Sequence, residues 1–103
     1  IEDDAFLGAG VVVVEGIKVG RRAVLAPGVC LTRSVPVFDA VNERQLAAGE
    51  DIPEGAVVVP GTRPISSKNA WAKEMGLMLS APIIIKYRDE RSDASLVLEE
   101  ALR

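Results

Sequence analysis

The first 36 residues, Ile1 to Pro36, divide into six groups of six: IEDDAF, LGAGVV, VVEGIK, VGRRAV, LAPGVC and LTRSVP. The first position of every group is aliphatic and continues into a seventh group, with Ile1, Leu7, Val13, Val19, Leu25, Leu31 and Val37. The fifth position is also apolar and holds Ala5, Val11, Ile17, Ala23, Val29 and Val35. Neither an α-helix nor a hairpin meander has a period of six. The register therefore predicts a mainly β chain that runs extended, turns and repeats, with the first and fifth positions pointing inward.

The fourth position of each group marks a corner. It holds Asp4, Gly10, Gly16, Arg22, Gly28 and Ser34. Glycine and short polar residues suit a positive φ, so we expect the chain to turn at these positions. The repeat resumes with IPEGAV and VVPGTR, where Gly55 and Gly61 fall in the corner position. An antiparallel sandwich with glycine turns is the alternative, but it requires alternation at period two over longer segments.

The rest of the chain is predicted as an insertion and an extension. Residues 38–51 are polar and acidic and are interpreted as a loop inserted at one corner, so that repeated coils cover residues 1–63. Residues 64–103 are interpreted as a C-terminal extension that caps the open edge of the coils, with strands at about 77–87, interrupted at Pro82, and a helix at about 93–102. Ser92 or Asp93 would cap that helix. Its predicted apolar stripe consists of Leu96, Val97, Ala101 and Leu102. So few coils predict the C-terminal part of a longer protein.

The composition excludes several kinds of site. The chain has no histidine and one cysteine among 103 residues, so a His/Cys zinc site and an imidazole-dependent catalytic triad are excluded, and we expect no metal. A net charge of −3 disfavours a nucleic acid partner, which requires a basic face. Apolar runs such as Val11 to Val14 are far shorter than a membrane span, and no signal segment opens the chain. We therefore expect a cytoplasmic protein without membrane or nucleic acid partners.

Four stretches carry a more specific pattern: VVEGIKVG, PVFDAVNER, IPEGAVVVPGTRP and PIIIKYRDERSDASLVLEEALR. Together they resemble the C-terminal part of the bacterial tetrahydrodipicolinate N-succinyltransferases over nearly the whole chain. The resemblance implies a left-handed parallel β-helix, in which three groups of six form one triangular coil, with an inserted loop and a C-terminal strand and helix as a cap. It also implies a cytoplasmic homotrimer. The implied reaction moves a succinyl group from succinyl-CoA to the amine of tetrahydrodipicolinate, a small dicarboxylate, in the diaminopimelate route to lysine.

The lack of histidine also discriminates among proteins of this fold class. Hexapeptide acetyltransferases that use a histidine base do not fit, and neither do γ-class carbonic anhydrases, which hold a metal with three histidines. Two alternatives stay open. One is a structural module whose coils only trimerise, and the other is a hexapeptide acyltransferase that acts on another amine or on a sugar.

One carboxylate is a candidate for the chemistry of acyl transfer. An amine must lose a proton as it attacks a thioester, and a positioned carboxylate can accept that proton. Glu15, immediately before the corner residue Gly16, is the candidate catalytic base. The alternative is that Glu15 is a solvated turn residue. The resemblance aligns the family's catalytic glutamate with Val12, where this chain has no carboxylate.

Two groups of residues are candidates for binding the coenzyme. The resemblance implies that the pantetheine arm lies against small residues of the coils, between subunits; the candidates are Ala9, Gly10, Ala26 and Gly28. The phosphates of CoA need cations, and the candidates are Arg63, Lys68, Lys73 and Lys86. The alternatives are corner residues of the coils and ordinary surface cations. Cys30 is predicted to be a small buried or half-buried filler rather than a nucleophile, because no base is at hand to activate it.

Overall fold

The computed structural model describes residues 1, 4–14, 16–47, 49–66, 68–88 and 94–102, with Ser95 described by its backbone only. In chain order the elements are β1 (Phe6–Leu7), β2 (Val12–Val13), β3 (Val24–Leu25), β4 (Cys30–Leu31), β5 (Phe38–Asp39), β6 (Arg44–Gln45), β7 (Ala56–Pro64), α1 (Ala70–Glu74), β8 (Met78–Tyr87) and α2 (Ala94–Ala101). One sheet has six strands in the order β1, β3, β7, β8, β5, β6, and a second sheet pairs β2 with β4. The described chain is therefore mainly β, as the period of six predicts.

Successive repeats stack on one another in parallel at a fixed spacing. Phe6 lies opposite Val24 and Val13 lies opposite Leu31, so each residue pairs with the one 18 positions later. Three groups of six therefore bring the chain back over itself. We call residues 1–18 the first coil and residues 19–36 the second coil. This parallel stacking of hexapeptide repeats is consistent with a β-helix.

The third coil begins after an insertion. Val24 lies opposite Val57, and Val19 forms a bridge to Ile52, so the partners here are 33 positions apart. This separation exceeds one coil of 18 residues by 15. The 15 extra residues are the insertion, residues 37–51, and the third coil, residues 52–63, starts at Ile52. The insertion thus starts at Val37, one residue before the predicted start at Phe38, because Val19 forms its bridge to Ile52 and not to Val37.

The corners follow the fourth position of the repeat in the first two coils. In these two coils the φ lies between 58° and 89° at the fourth-position residues Asp4, Gly10, Gly16, Arg22 and Gly28. Gly55 in the third coil has a φ of 72°, so the prediction is confirmed at these positions. It is wrong for Ser34 and Gly61, whose φ is not positive. Gly61 lies inside β7, which continues without a turn because β8 pairs with it along its whole length.

The second coil lies at the centre of the hydrophobic core. Its first-position residues Val19, Leu25 and Leu31 are at most 1% exposed. The equivalent Leu7 of the first coil is 38% exposed, because among the described residues that coil has a neighbouring coil on one side only. The inward orientation of the first position is therefore confirmed for the second coil. Removal of this aliphatic surface from water is the main stabilising contribution to the fold.

The insertion contains a short antiparallel hairpin where a loop is predicted. Its strands are β5 and β6, and β5 also pairs in parallel with β8. Phe38 lies opposite Ile83, so this apolar residue attaches the hairpin to the main sheet. Within the insertion, the Arg44 guanidinium and the Glu50 carboxylate form an exposed ion pair of 2.7 Å. The hairpin forms because β8, which is distant in sequence, offers it a pairing edge.

The strands β7 and β8 form a long antiparallel hairpin, which we call the arm. Only its base is part of the coils, where β7 pairs with β3. Pro82 does not interrupt β8, contrary to the prediction, because it lies opposite Pro60 and the two residues without an N–H share one position of the ladder. Helix α1 connects the two strands, and the Asn69 side chain caps it by accepting the Ala72 N–H at 3.0 Å.

Helix α2 packs on the coils through one face. The apolar residues of that face are Ala94, Val97, Leu98 and Ala101. This spacing is the i, i+3, i+4, i+7 pattern of an amphipathic helix. The predicted stripe is wrong at Leu96 and Leu102, which are each 54% exposed because they lie off this face. The predicted capping residues Ser92 and Asp93 lie outside the described residues.

Candidate functional site

One exposed corner of the first two coils is flat and built from small residues. Ala9 and Gly10 of the first coil and Gly28 of the second are all exposed. The Gly28 N–H donates to the Ala9 carbonyl oxygen at 3.0 Å, which holds the two corners in register. Gly28 has a φ of 84°, and a side chain built there would meet no described atom within 4 Å. The corner therefore offers a ligand an open backbone surface on which the Ala9 methyl group is the largest side chain of the three residues.

A shallow cleft of about 70 Å³ lies beside this corner. Residues of the second coil, the third coil and β8 line it, among them Gly28, Cys30, Pro60, Gly61, Ser80 and Pro82. A side chain at Gly61 would overlap the Ile83 side chain and come 3.0 Å from the Ala81 carbonyl oxygen. Glycine at position 61 is therefore what allows β8 to close one side of the cleft.

The exposure of Ala26 and of Cys30 differs from what the sequence predicts. Ala26 is fully buried, and its N–H donates to the Val58 carbonyl oxygen at 2.9 Å. Its side chain offers no surface to a ligand, because the third coil covers the position. Cys30 is exposed and lines the cleft, whereas the next residue on β4, Leu31, is buried. Alternation along the strand therefore turns the one thiol of the chain outward.

The four predicted cations do not form one cluster. Lys68 and Lys73 both lie in the connection between β7 and β8, with Lys73 in the last turn of α1. Lys86 lies near the other end of β8, roughly 26 Å along the strand from its start. There its Nζ is 3.8 Å from a Glu100 carboxylate oxygen. Arg63, on β7, lines a separate and larger cavity.

A buried carboxylate fixes the insertion against the arm. Asp39 is 1% exposed and accepts hydrogen bonds from the Val41 N–H, the Asn42 N–H, Asn42 Nδ2 and the Tyr87 hydroxyl, the last at 2.6 Å. Burial by itself raises the pKa of Asp39, but these hydrogen bonds outweigh burial and hold the pKa below its ordinary value. Burial and the hydrogen bond to Asp39 raise the pKa of Tyr87 to about 12. The charged carboxylate and the neutral phenol are therefore the stable pair.

Comparison with known proteins shows which sequences this chain is similar to. Residues 1–33 match the family model described as the hexapeptide repeat of succinyl-transferase. Over all 103 residues the chain is 41% identical to the 2,3,4,5-tetrahydropyridine-2,6-dicarboxylate N-succinyltransferase of Rhodopseudomonas palustris (strain BisA53) and 39% identical to that of Nitrobacter winogradskyi, with 35% of each relative covered. The chain is a homologue of these N-succinyltransferases. It matches their C-terminal part.

A relative with a different name is similar over the same residues of this chain. Protein TabB of Pseudomonas amygdali pv. tabaci is 37% identical over the 103 residues, which cover 34% of its length. This succinyltransferase homologue therefore spans about a third of the length of the curated relatives that it matches.

The predicted base of the succinyltransferase homologue, Glu15, lies outside the described residues. On one side of it, the Val14 N–H donates to the Leu31 carbonyl oxygen at 3.1 Å. Val12, the position that the resemblance aligns with the family's glutamate, is 52% exposed on β2 and pairs with Cys30. The exposed side chain next to the cleft-lining cysteine is therefore apolar in this homologue.

The cleft also contains residues that the sequence pattern does not indicate. Ser80 and Pro82 reach it because β8 pairs with β7, and no repeat relates these residues to the corner glycines. Within the described ranges, no three His, Cys, Asp or Glu side chains lie close enough to hold a metal ion. No described helix of the succinyltransferase homologue is long and apolar enough to cross a membrane.

Proposed function

We propose that this chain is the acyl-CoA-binding end of a cytoplasmic N-succinyltransferase that works as a homotrimer. The reaction transfers the succinyl group of succinyl-CoA to the amine of tetrahydrodipicolinate, in the diaminopimelate route to lysine. The observation that carries the proposal is the open corner of Ala9, Gly10 and Gly28 beside a cleft, in a chain that aligns over its whole length with named N-succinyltransferases. The acceptor-binding part corresponds to the length of the relatives that this chain does not span.

The proposed architecture is a left-handed parallel β-helix. Its support is the pairing of each residue with the one 18 positions later, which corresponds to three groups of six in each coil. In this proposal the coils, together with the insertion at residues 37–51, occupy residues 1–63, although β7 beyond Val58 already belongs to the arm. The C-terminal extension occupies residues 64–103. The exposed residues Val12 and Val14 give the first coil an apolar outer face, which suits packing against a second subunit.

The pantetheine arm of the coenzyme lies along the corner and cleft in this proposal. Small residues leave room for a chain of atoms to approach the backbone, whose N–H and C=O groups can bond the amides of pantetheine. Cys30 stands in the cleft without a role in the chemistry. Glu15 serves as the base that accepts the amine proton, since the aligned position Val12 has no proton acceptor. Replacement of Glu15 by glutamine, in a full-length enzyme that includes the acceptor-binding part, is expected to lower kcat at saturating substrate, and an unchanged kcat would remove Glu15 from the mechanism.

The CoA phosphates bind Lys68 and Lys73 in this proposal, because these two cations share one connection of the arm. The double variant Lys68→Gln and Lys73→Gln is expected to weaken coenzyme binding by about three- to tenfold at low salt, with a smaller effect at high salt. Lys86→Gln is the matched control, since Lys86 lies beside Glu100 at the other end of β8. It is expected to change the affinity by less than about twofold. Equal effects of the double variant and the control would contradict the assignment.

Calorimetric titration of the purified protein with succinyl-CoA, acetyl-CoA and CoA tests the proposed function. We expect saturable binding at one site per subunit, weakened by salt and tightest for succinyl-CoA. A folded protein that binds none of the three would instead support a structural module whose coils only assemble. Tighter binding of acetyl-CoA would favour a hexapeptide acyltransferase that acts on another amine or on a sugar.

A further inference from the structure

A cavity of about 250 Å³ lies between the second coil, the insertion and β7. It exists because the third coil does not close into a full turn. After Val58 the chain continues straight in β7, so the insertion covers the last side of the second coil. This cover is incomplete, and the gap beneath it is larger than the cleft at the corner.

The inner walls of the cavity are apolar. Leu31 of the second coil, Leu46 of the insertion and Ile52 of the third coil line it, and all three are at most 4% exposed. The half-buried Val35 adds a further aliphatic surface. A ligand with a short hydrocarbon part would remove these walls from water.

Two arginines are also among the residues that line the cavity, the half-buried Arg63 and the exposed Arg33. Arg63 has a buried Nε without a hydrogen-bond partner among the described residues, and Arg33 places Nη2 where a side chain at Gly16 would begin. Glu50 is the one described carboxylate of the lining, and it is held by Arg44 at 2.7 Å and by the Ala47 N–H at 2.9 Å. Neither Arg33 nor Arg63 forms an ion pair in the described part of the chain. The cavity thus combines apolar walls with two arginines that form no ion pair with a described carboxylate.

We propose that this cavity binds a small aliphatic carboxylate, with the carboxylate on the guanidinium groups of Arg33 and Arg63 and the hydrocarbon part on the apolar walls. A guanidinium presents parallel N–H donors that match the two oxygens of a carboxylate. The hydrocarbon part distinguishes this ligand from a free phosphate, which would gain no binding free energy from contact with the apolar side chains of Leu31 and Ile52. The volume suits a ligand of about four to six carbon atoms.

The proposed carboxylate site is independent of the proposed coenzyme site. The residues that line the cavity and those that line the cleft at the corner have no member in common. If the protein does not bind the coenzyme, the proposal of a carboxylate site is not affected. Variants that abolish carboxylate binding are likewise expected to bind the coenzyme unchanged.

Titration with sodium butyrate, followed by nuclear magnetic resonance of the backbone amides, tests the proposal. We expect saturable shifts for residues around the cavity at concentrations up to about 50 mM. Butyramide, which has the same shape without the charge, is expected to bind at least about tenfold more weakly. Inorganic phosphate and acetate, which lack the hydrocarbon part, are also expected to bind more weakly. No saturation with butyrate, or equal affinity for butyrate and phosphate, would overturn the proposal.

Three variants locate the binding. Arg63→Gln and Arg33→Gln are each expected to weaken butyrate binding at least about tenfold, whereas Arg21→Gln, at an exposed position outside the cavity, is expected to leave it unchanged. Ala47→Trp places an indole across the exposed rim without altering either arginine or the buried walls, so it is expected to weaken binding even if an arginine variant does not fold. Unchanged affinity in Ala47→Trp, or in folded Arg63→Gln, would overturn the proposal.

Discussion

Replacement of Leu25 by alanine is expected to lower the free energy of unfolding by about 2–5 kcal/mol. Leu25 is fully buried in the second coil, between Leu7 of the first coil and Val58 of the third. The coils on both sides are held by parallel backbone pairing, so they cannot move together to fill the space of the lost side chain. The cost therefore includes the cavity as well as the lost transfer free energy. Urea denaturation at one fixed protein concentration measures it, because assembly would make the apparent stability depend on concentration.

The matched control for Leu25 is Leu7→Ala. Both residues occupy the first position of their groups and pair with each other, but Leu7 is 38% exposed. Its replacement is expected to cost about 1 kcal/mol or less, because much of the side chain already contacts water. Equal losses for the two variants would contradict the placement of the core in the second coil.

Replacement of Asp39 by asparagine is expected to lower the free energy of unfolding by about 1–3 kcal/mol. The carboxylate accepts four hydrogen bonds in a buried position, including one from Tyr87, which is 48 residues away in sequence. An amide has one oxygen instead of two, so some of these donors lose their acceptor. Glu50→Gln, which alters an exposed ion pair of the same insertion, is the control and is expected to cost less than about 1 kcal/mol.

The pair of Asp39 and Tyr87 makes the free energy of unfolding depend on pH. The folded-state pKa of Asp39 is lowered, so its contribution is present above the unfolded pKa of about 3.9 and is lost as the pH falls through the folded-state value. The pKa of Tyr87 is raised to about 12, so its contribution is complete below the unfolded pKa of about 10 and is lost as the pH rises toward 12. Asp39→Asn is expected to reduce both losses. Unfolding curves of the variant that keep the same acid and alkaline losses would contradict the pairing of these two groups.

The fold is predictable from sequence where one period controls it. The repeat of six predicts the positive φ at Gly10 and Gly28 and the inward face of the second coil, because each coil repeats the same local geometry. The prediction fails at Gly61 and Pro82, where the straight course of the chain depends on pairing between β7 and β8. Such pairing joins residues that are distant in sequence, and no local pattern indicates it.

The candidate site is predictable to a similar extent. The exposed surface of Gly10 and Gly28 follows from their corner position. The burial of Ala26 does not, because the third coil that covers it is separated from the second coil by the insertion. The cavity with Arg33 and Arg63 also has no signal in the sequence, since three separate segments enclose it.

Succinyl-CoA is proposed to lie in the corner cleft, and the alkylation rate of Cys30 measures this placement most directly. Cys30 is the one cysteine of the chain, it is exposed, and it lines the cleft. Saturating succinyl-CoA is expected to slow its reaction with iodoacetamide at least about tenfold, as followed by intact mass, because the bound coenzyme covers the thiol. Free succinate at the same concentration is the control and is expected to have no effect. An unchanged alkylation rate at saturating succinyl-CoA would contradict the placement of the coenzyme in this cleft.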